Sequence, residues 1–330
     1  MKQIWVKIVP WKKKLVTTAL ENGADALMLA KGDSAKAKEL GRITTVAPDG
    51  DLRLGEDVVE VTVKGPDDEN EIVKLSQTKK VLVKTTDWTI IPLENLIART
   101  GNIWVEVSNL EEARTALGVL EKGVDGLLIS VSDPAELKKI LNSVKESSGD
   151  IELLAAEIVS VKTLGMGDRV CVDTCTQMGK GEGMLIGNTS RALFLVHAES
   201  IHNPYVATRP FRVNAGPVHA YVRVPGGKTR YLSELKSGDE VLVVNSKGKI
   251  SPAVVGRVKI EKRPLLLVEA KMGDQVFSTI LQNAETIRLT KPDGDPLSVV
   301  SLKEGDQVLA VIETGGRHFG YKIEETITEK

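Results

Sequence analysis

Three charged side chains each follow a short apolar run of the kind that forms buried strands. They are Lys7, Lys84 and Glu106. A charge placed there is costly to bury without a partner. Ligands of parallel sheets and barrels bind at the carboxyl ends of the strands, so lysine and glutamate there could pair, shift each other's pKa and act as base and acid. The sequence also allows any of the three to face solvent at a sheet edge.

A second group of polar residues lies between Gly165 and Tyr231. His197 and Glu199 are two apart in an extended run, so they are expected to share a face of a strand. With a further histidine or aspartate they could bind a divalent metal or transfer a proton. We therefore predict catalytic roles for both and leave the metal open.

The stretch 179–187 is rich in glycine and carries one lysine and one glutamate. The backbone N–H groups of such a loop can approach a phosphate or a carboxylate closely. The chain has no Walker loop and no G-x-G-x-x-G that opens a helix. Cofactor binding is predicted for Gly181, Glu182, Gly183 and Gly187, and a long β-turn is the competing interpretation.

Basic residues cluster between positions 209 and 230. They suit an anionic substrate or a cofactor pyrophosphate, because guanidinium groups form paired hydrogen bonds with oxyanions. A solvated strand face is the competing interpretation. The predicted substrate-binding residues are Arg209, Arg212, Asn214, Lys228 and Arg230, with Arg223 in the same group.

Elements that could position these residues alternate between strand and helix over the first 150 residues, which predicts an α/β domain with a barrel-like arrangement or an open parallel sheet. A hairpin is predicted at 57–75, with its turn at Gly65. The predicted helices are 109–122 and 134–145, where apolar residues recur at helical spacing. The predicted strands are 3–9, 24–30, 42–47, 80–84, 102–107 and 124–130.

Residues 151–330 read as a β-rich domain with internal repeats, so the fold class is α/β plus all-β. The segment 235–244 matches 302–311 at seven of ten positions, and Gly-Asp pairs begin at 167, 238 and 305. Features that the copies share are best explained by the fold, whereas reactive residues found in one copy need another reason. The first copy therefore holds the predicted chemistry.

Composition and charge are those of a globular protein of the cytoplasm. Lys and Arg number 44 against 45 Asp and Glu, and aromatic residues make up 4% of the chain. This balance argues against nucleic acid or a membrane surface as a partner. We find no signal peptide and no apolar run long enough for a membrane span. A small-molecule substrate and a homo-oligomer are compatible with the sequence.

Several segments resemble the 3-dehydroquinate synthase II family. They are 87–95, 167–175, 181–187, 194–199, 209–216, 228–235 and 281–287. The resemblance runs nearly end to end and is weakest at 48–78. It implies an NAD-dependent enzyme of the alternative shikimate pathway and of aromatic amino acid biosynthesis, an oxidoreductase that acts on a CH–NH2 group.

The implied reaction is the oxidative deamination of 2-amino-3,7-dideoxy-D-threo-hept-6-ulosonate, followed by an intramolecular aldol closure to 3-dehydroquinate. Lys84 and Glu106 are the first candidates for base and acid, or for a Schiff-base lysine and its partner, with Lys7, His197 and Glu199 next. Two alternatives stay open. One is a metal-dependent aminohydroxybenzoate synthase of the same family, and the other is an RNA-binding β-domain.

Overall fold

The computed structural model describes residues 2–86, 89–120, 122–147, 150–312, 316–318 and 321–323. Asp87 and Trp88 of the first family-like segment, and Glu121 of a predicted helix, lie outside these ranges. The chain forms two compact units, Met1–Lys145 and Glu146–Lys330. Each unit is described separately.

The first unit alternates strands and helices. Its strands are β1 (Gln3–Ile8), β2 (Ala26–Leu29), β3 (Thr44–Ala47), β4 (Leu52–Arg53), β5 (Val58–Val63), β6 (Lys80–Thr85), β7 (Ile103–Val107) and β8 (Gly126–Ile129). Its helices are α1 (Lys13–Glu21), α2 (Ser34–Leu40), α3 (Pro66–Leu75), α4 (Ile90–Arg99), α5 (Leu110–Gly118) and α6 (Pro134–Ser147).

The strands of this unit form a parallel, nearly closed barrel in the order β4-β3-β2-β1-β8-β7-β6-β5. A parallel bridge from Leu54 to Val58 links the two end strands. Alternate strand residues pack outward against the helices. The inward residues, among them Trp5, Leu82 and Trp104, form a separate apolar layer. The predicted α/β fold is thus confirmed as a barrel.

The six predicted strands of this unit are found within two residues of their expected ends. The hairpin predicted at 57–75 is wrong, because β5 pairs in parallel with β6 and α3 connects them. Pro66 occupies the first turn of α3, where its missing N–H costs nothing. The Asp68 carboxylate accepts hydrogen bonds from the Lys64 and Gly65 N–H groups. The Gly-Pro-Asp sequence therefore starts a helix instead of a β-turn.

The second unit is β-rich, as predicted, and its strands pair antiparallel. They are β9 (Leu154–Thr174), β10 (Glu182–Thr189), β11 (Ala192–His197), β12 (Arg212–Pro217), β13 (Tyr221–Val224), β14 (Lys228–Tyr231), β15 (Glu240–Asn245), β16 (Ile250–Met272), β17 (Gln275–Gln282), β18 (Arg288–Thr290), β19 (Pro296–Ser298) and β20 (Gln307–Ile312). Residues 316–318 and 321–323 pair as a separate two-stranded sheet.

Two long strands, β9 and β16, pair along most of their lengths and organise this unit. β9 also pairs with β12 and β20, and β16 also pairs with β15 and β17. Because β10 pairs with both β11 and β15, the pairings close into a ring through β16, β9 and β20. One large apolar core fills this unit.

Two of the three predicted repeats share one local structure. Gly238 and Gly305 have φ angles of 90° and 91°, in the left-handed region that favours glycine. In each copy the following aspartate accepts a hydrogen bond from a backbone N–H three residues earlier, and a buried strand follows. The predicted first copy is wrong at its turn, because Gly167 lies inside β9 opposite Arg263.

Candidate active site

The carboxyl end of the barrel brings together the charged residues that interrupt its strands. Lys7 on β1 and Glu106 on β7 form an ion pair with 2.8 Å between Nζ and Oε1. The strand β8 lies between these two strands, so the pair bridges the barrel mouth. Their side chains are 28% and 23% exposed, which leaves both open to a ligand.

A second ion pair lies beside the first. Lys84 on β6 contacts Glu60 on β5, with 3.0 Å between Nζ and Oε2. Lys84 and Glu106 are on the neighbouring strands β6 and β7, but each pairs with a different residue. Sequence analysis missed Glu60 because its segment was interpreted as a hairpin. The signal was present, since Glu60 interrupts a valine-rich run in the way that Lys84 does.

Two tryptophans fill the barrel beneath the ion pairs. The rings of Trp5 and Trp104 stack with 4.9 Å between their centroids, two residues before Lys7 and Glu106 in their strands. Gly126 leaves room for the Trp104 indole, because a Cβ at this position would overlap it. These rings belong to the inward-facing apolar layer of the barrel and form a floor beneath the two Lys–Glu pairs.

His197 is placed differently from the prediction. It is 3% exposed; its Nε2 accepts a hydrogen bond from the Gly181 N–H at 2.8 Å, and its Nδ1 lies 2.6 Å from the Ala198 carbonyl oxygen. Because a carbonyl can only accept, Nδ1 carries the proton and the ring is neutral. Burial lowers the pKa of this imidazole. With both ring nitrogens engaged, the structure does not support a metal ligand or a proton carrier here, and His197 instead anchors the turn at Gly181.

This arrangement predicts a pH-dependent stability. Because the pKa of His197 is lowered on folding, the stabilisation that is present above the unfolded value of about 6.5 is lost as the pH falls below it. We expect His197→Asn to lower the free energy of unfolding by about 1–3 kcal/mol at neutral pH. The same change should also make the free energy of unfolding fall less steeply as the pH drops below about 6.5. Urea unfolding at several pH values measures both effects.

The matched control is His202→Gln, since His202 is exposed. Burial also lowers the pKa of His219, so part of the acid sensitivity should persist in the His197 variant. An unchanged pH slope in His197→Asn would show that the imidazole is not the neutral anchor described here.

Residues 182–187 of the glycine-rich stretch lie in the strand β10, and Gly181 lies in the turn before it. Gly183 lies in β10 between His197 of β11 and Val244 of β15. A Cβ at Gly183 or at Gly187 would overlap the backbone of β11. The Glu182 carboxylate accepts a hydrogen bond from the Gly179 N–H at 2.7 Å. The glycines of this stretch thus allow close strand packing and its backbone pairs with neighbouring strands, which accounts for the glycines without a ligand; cofactor binding here stays a prediction.

The predicted substrate-binding residues belong to two separate strand pairs. Arg212 and Asn214 are on β12, which pairs with β9. Lys228 and Arg230 are on β14, whereas Arg223 on β13 lies opposite Thr229 and therefore on the other face of this strand pair. The Arg230 guanidinium forms a 3.0 Å ion pair with Asp239 beside the second Gly-Asp turn, which indicates a structural role.

Glu199 lies beside the first of these groups. Its carboxylate contacts the Arg209 guanidinium at 3.3 Å, and the two residues also bridge through their backbones. Asp173 accepts two hydrogen bonds from Arg212, at 2.6 and 2.9 Å. Burial tends to raise the pKa of Asp173, but the hydrogen bonds from Arg212 and Arg257 lower it overall. The predicted pairing of Glu199 with His197 is replaced by contacts with arginine.

Metal ligands do not assemble in the part of the chain that the structure describes. Within it, no three His, Cys, Asp or Glu side chains come together as a metal site needs. Of the two free cysteines, Cys171 is buried and Cys175 is exposed. Burial raises the pKa of Cys171 to about 11, so its thiol is protonated at neutral pH. The described residues thus do not fit the divalent metal left open by the sequence.

A parallel barrel with ionisable side chains at the carboxyl ends of its strands is an arrangement typical of enzymes. Comparison with known proteins identifies the family to which the chain belongs. Residues 1–144 match the 3-dehydroquinate synthase II N-terminal domain, and residues 155–330 match its C-terminal domain. This chain therefore belongs to the 3-dehydroquinate synthase II family.

Curated relatives match over their whole length. A 3-dehydroquinate synthase homolog of Aquifex aeolicus is 54% identical over 331 residues, and a 3-dehydroquinate synthase of Methanoregula boonei is 55% identical over 331 residues, each covering 100% of both chains. A 3-dehydroquinate synthase of Methanocaldococcus jannaschii is 46% identical over 361 residues, again covering 100% of both chains. Among the described residues, no helix is both long and apolar enough to cross a bilayer.

Proposed function

We propose that this protein is a 3-dehydroquinate synthase that releases the nitrogen of its substrate as ammonium and uses NAD. The observation that carries the proposal is the set of two Lys–Glu ion pairs at the barrel mouth, in a chain whose family and relatives bear this name. The substrate would be 2-amino-3,7-dideoxy-D-threo-hept-6-ulosonate. The cytoplasm is the expected location.

The first half of the reaction removes the amino group. The substrate ammonium gives up one N–H proton, the neighbouring C–H leaves as a hydride, and the resulting iminium adds water to yield a ketone and ammonium. NAD, when bound, supplies the hydride acceptor. Glu106 would take the N–H proton, because its carboxylate is held at the barrel mouth by Lys7 and is still partly exposed.

The second half closes the ring. A base removes a proton from the methyl group beside the remaining ketone, and the carbanion attacks the new ketone to form a carbon–carbon bond and an alkoxide. Lys84 would bear its positive charge against the ketone oxygen as negative charge develops there. Alternatively, Lys84 gives its proton to Glu60, 3.0 Å away, and condenses with the ketone as a Schiff base, releasing water that is returned by hydrolysis.

The test is a product balance with the purified protein. Substrate and NAD should yield NADH, ammonium and 3-dehydroquinate in equal amounts, and no product should form when NAD is left out. A metal-dependent synthase that retains nitrogen would form an amino-substituted aromatic acid without NADH. That product would overturn the proposal.

A further inference from the structure

One face of the sheet formed by β12, β9 and β16 is rich in guanidinium and ammonium groups. On β16, Arg257 lies opposite Asp173 and Lys259 lies opposite Cys171. On the other side of β9, Arg212 also lies opposite Asp173. Because side chains directly opposite each other in a sheet lie on the same face, these residues form one surface.

The contacts confirm that this surface is continuous and that its carboxylates are shared. Asp173 accepts hydrogen bonds from Arg212 and from the Arg257 Nε at 2.9 Å. Glu261 contacts Arg169 and Arg263 at 2.9 Å each and Lys259 at 3.1 Å. Asp173 therefore contacts two cations and Glu261 contacts three, so neither carboxylate can neutralise all of its partners.

This surface carries a net positive charge. Six cations face three carboxylates, which leaves an excess of three positive charges. The cations are Arg169, Arg209, Arg212, Arg257, Lys259 and Arg263, and the carboxylates are Asp173, Glu199 and Glu261. We call these nine residues the cationic face. The Arg257 and Lys259 side chains are 63% and 49% exposed, so these two cations are accessible to a ligand although each also contacts a carboxylate.

Two buried polar atoms on the same surface have no partner within the described residues. They are the Nε of Arg169 and the Oδ1 of Asn214, in residues that are 5% and 4% exposed. Asn214 lies opposite Cys171 on β12, beside the cationic face. Unpaired buried polar groups are rare, and a missing ligand or water is one of their recognised causes. The donor and the acceptor match an oxyanion and a hydroxyl group.

We propose that the cationic face binds an oxyanion of a hydroxylated small molecule that takes part in the reaction. The inference rests on the proposed function, which supplies two such oxyanions. One is the diphosphate of the dinucleotide and the other is the carboxylate of the substrate and product. Both are recognised by the same paired hydrogen bonds from arginine. The face replaces the glycine-rich stretch as the anion-binding part of this unit.

The experiment measures equilibrium binding by calorimetry to the full-length protein, with NAD, inorganic pyrophosphate and 3-dehydroquinate as separate probes. Arg257→Gln and Lys259→Gln remove exposed charges of the face. The control is Lys262→Gln, since Lys262 is on the same strand, is 79% exposed and contacts Asp168 instead. Unfolding midpoints of all three variants should equal that of the wild type.

We expect the two face variants to weaken one class of probe about tenfold to a hundredfold, with the control unchanged. Weakening of NAD and pyrophosphate together assigns the face to the diphosphate, and weakening of 3-dehydroquinate alone assigns it to the carboxylate. Binding that is equal in all variants, or absent in the wild type, overturns the inference. Salt-sensitive RNA retention that only the face variants lose, with the small anions unaffected, also overturns it in favour of an RNA surface.

These outcomes are separate from those of the proposed function. A wild-type protein that makes 3-dehydroquinate while all variants bind the probes equally contradicts the cationic face alone. A protein that binds pyrophosphate through the face but releases no ammonium contradicts the proposed function alone.

Discussion

Replacing Lys84 with methionine is expected to lower kcat by about a hundredfold to ten-thousandfold, the usual contribution of a positioned acid, base or charge. Methionine keeps most of the volume of lysine but has neither proton nor charge, so Glu60 loses its partner and the reacting ketone loses its cation. Both side chains are 36% exposed, so the ion pair contributes little to folding. The variant should therefore lose turnover while its thermal unfolding midpoint stays close to that of the wild type.

The control is Lys80→Met, at the other end of the same strand. Lys80 lies over the Trp104 ring, 4.4 Å from its centroid, and is far along β6 from the mouth. We expect this variant to keep its turnover. Borohydride added during turnover should attach substrate to Lys84 if the Schiff-base route operates. Wild-type activity in Lys84→Met would remove Lys84 from the mechanism.

Replacing Gly183 with alanine is expected to destabilise the second unit by at least about 3 kcal/mol, at the upper end of the cost of overpacking. The new Cβ would overlap the Val196 carbonyl oxygen, which belongs to the backbone of β11 and cannot rotate away. Gly183 also pairs with β15 on its other side, so the strand has no free direction in which to shift. Urea unfolding followed by circular dichroism measures the loss.

Gly179→Ala is the matched control, because a Cβ there would only make van der Waals contact with the Glu182 carboxylate. It should unfold like the wild type. A cofactor cradle predicts the reverse pattern for Gly183→Ala, with unchanged stability and weakened NAD binding. That result would support the glycine-rich stretch as the cofactor site.

Six of the eight strands of the barrel could be predicted from sequence because they read as short, mostly buried apolar runs, whereas β4 and β5 alternate in burial. The helix α1 could not, since it begins with Lys13 and Lys14 and two threonines follow its Leu15–Val16 pair, which hides the apolar stripe. The helix α3 could not be predicted either, because Gly65-Pro66 also fits the sequence pattern of a β-turn. In both cases the packing of the helix against the barrel outweighs the weak local signal.

The repeats show a similar division. The Gly-Asp turns at 238 and 305 could be predicted because a positive φ and an aspartate side chain fix each turn locally. The pair at 167 has the same letters, but long-range pairing with β16 holds it in an extended strand. A Gly-Asp pair by itself therefore cannot distinguish a turn from an extended strand.

Individual candidates at the barrel mouth could be predicted, but their partners could not. A charge inside an apolar strand marks Lys7, Lys84 and Glu106, whereas the choice of partner depends on how the strands are staggered around the barrel. The cationic face was found in part through Arg209 and Arg212. Its three cations on β16, Arg257, Lys259 and Arg263, lie outside the segment 165–231, and only the pairing of β16 with β9 brings them to the same face as Arg169.

The most direct test of the account follows the substrate nitrogen. Substrate labelled at the amino group with the heavy nitrogen isotope is incubated with NAD and either the wild type or Lys84→Met, and nuclear magnetic resonance locates the label. We predict that the wild type releases all of the label as ammonium while 3-dehydroquinate forms, and that the variant releases almost none. Label retained in a ring-closed product of the wild type would contradict the account.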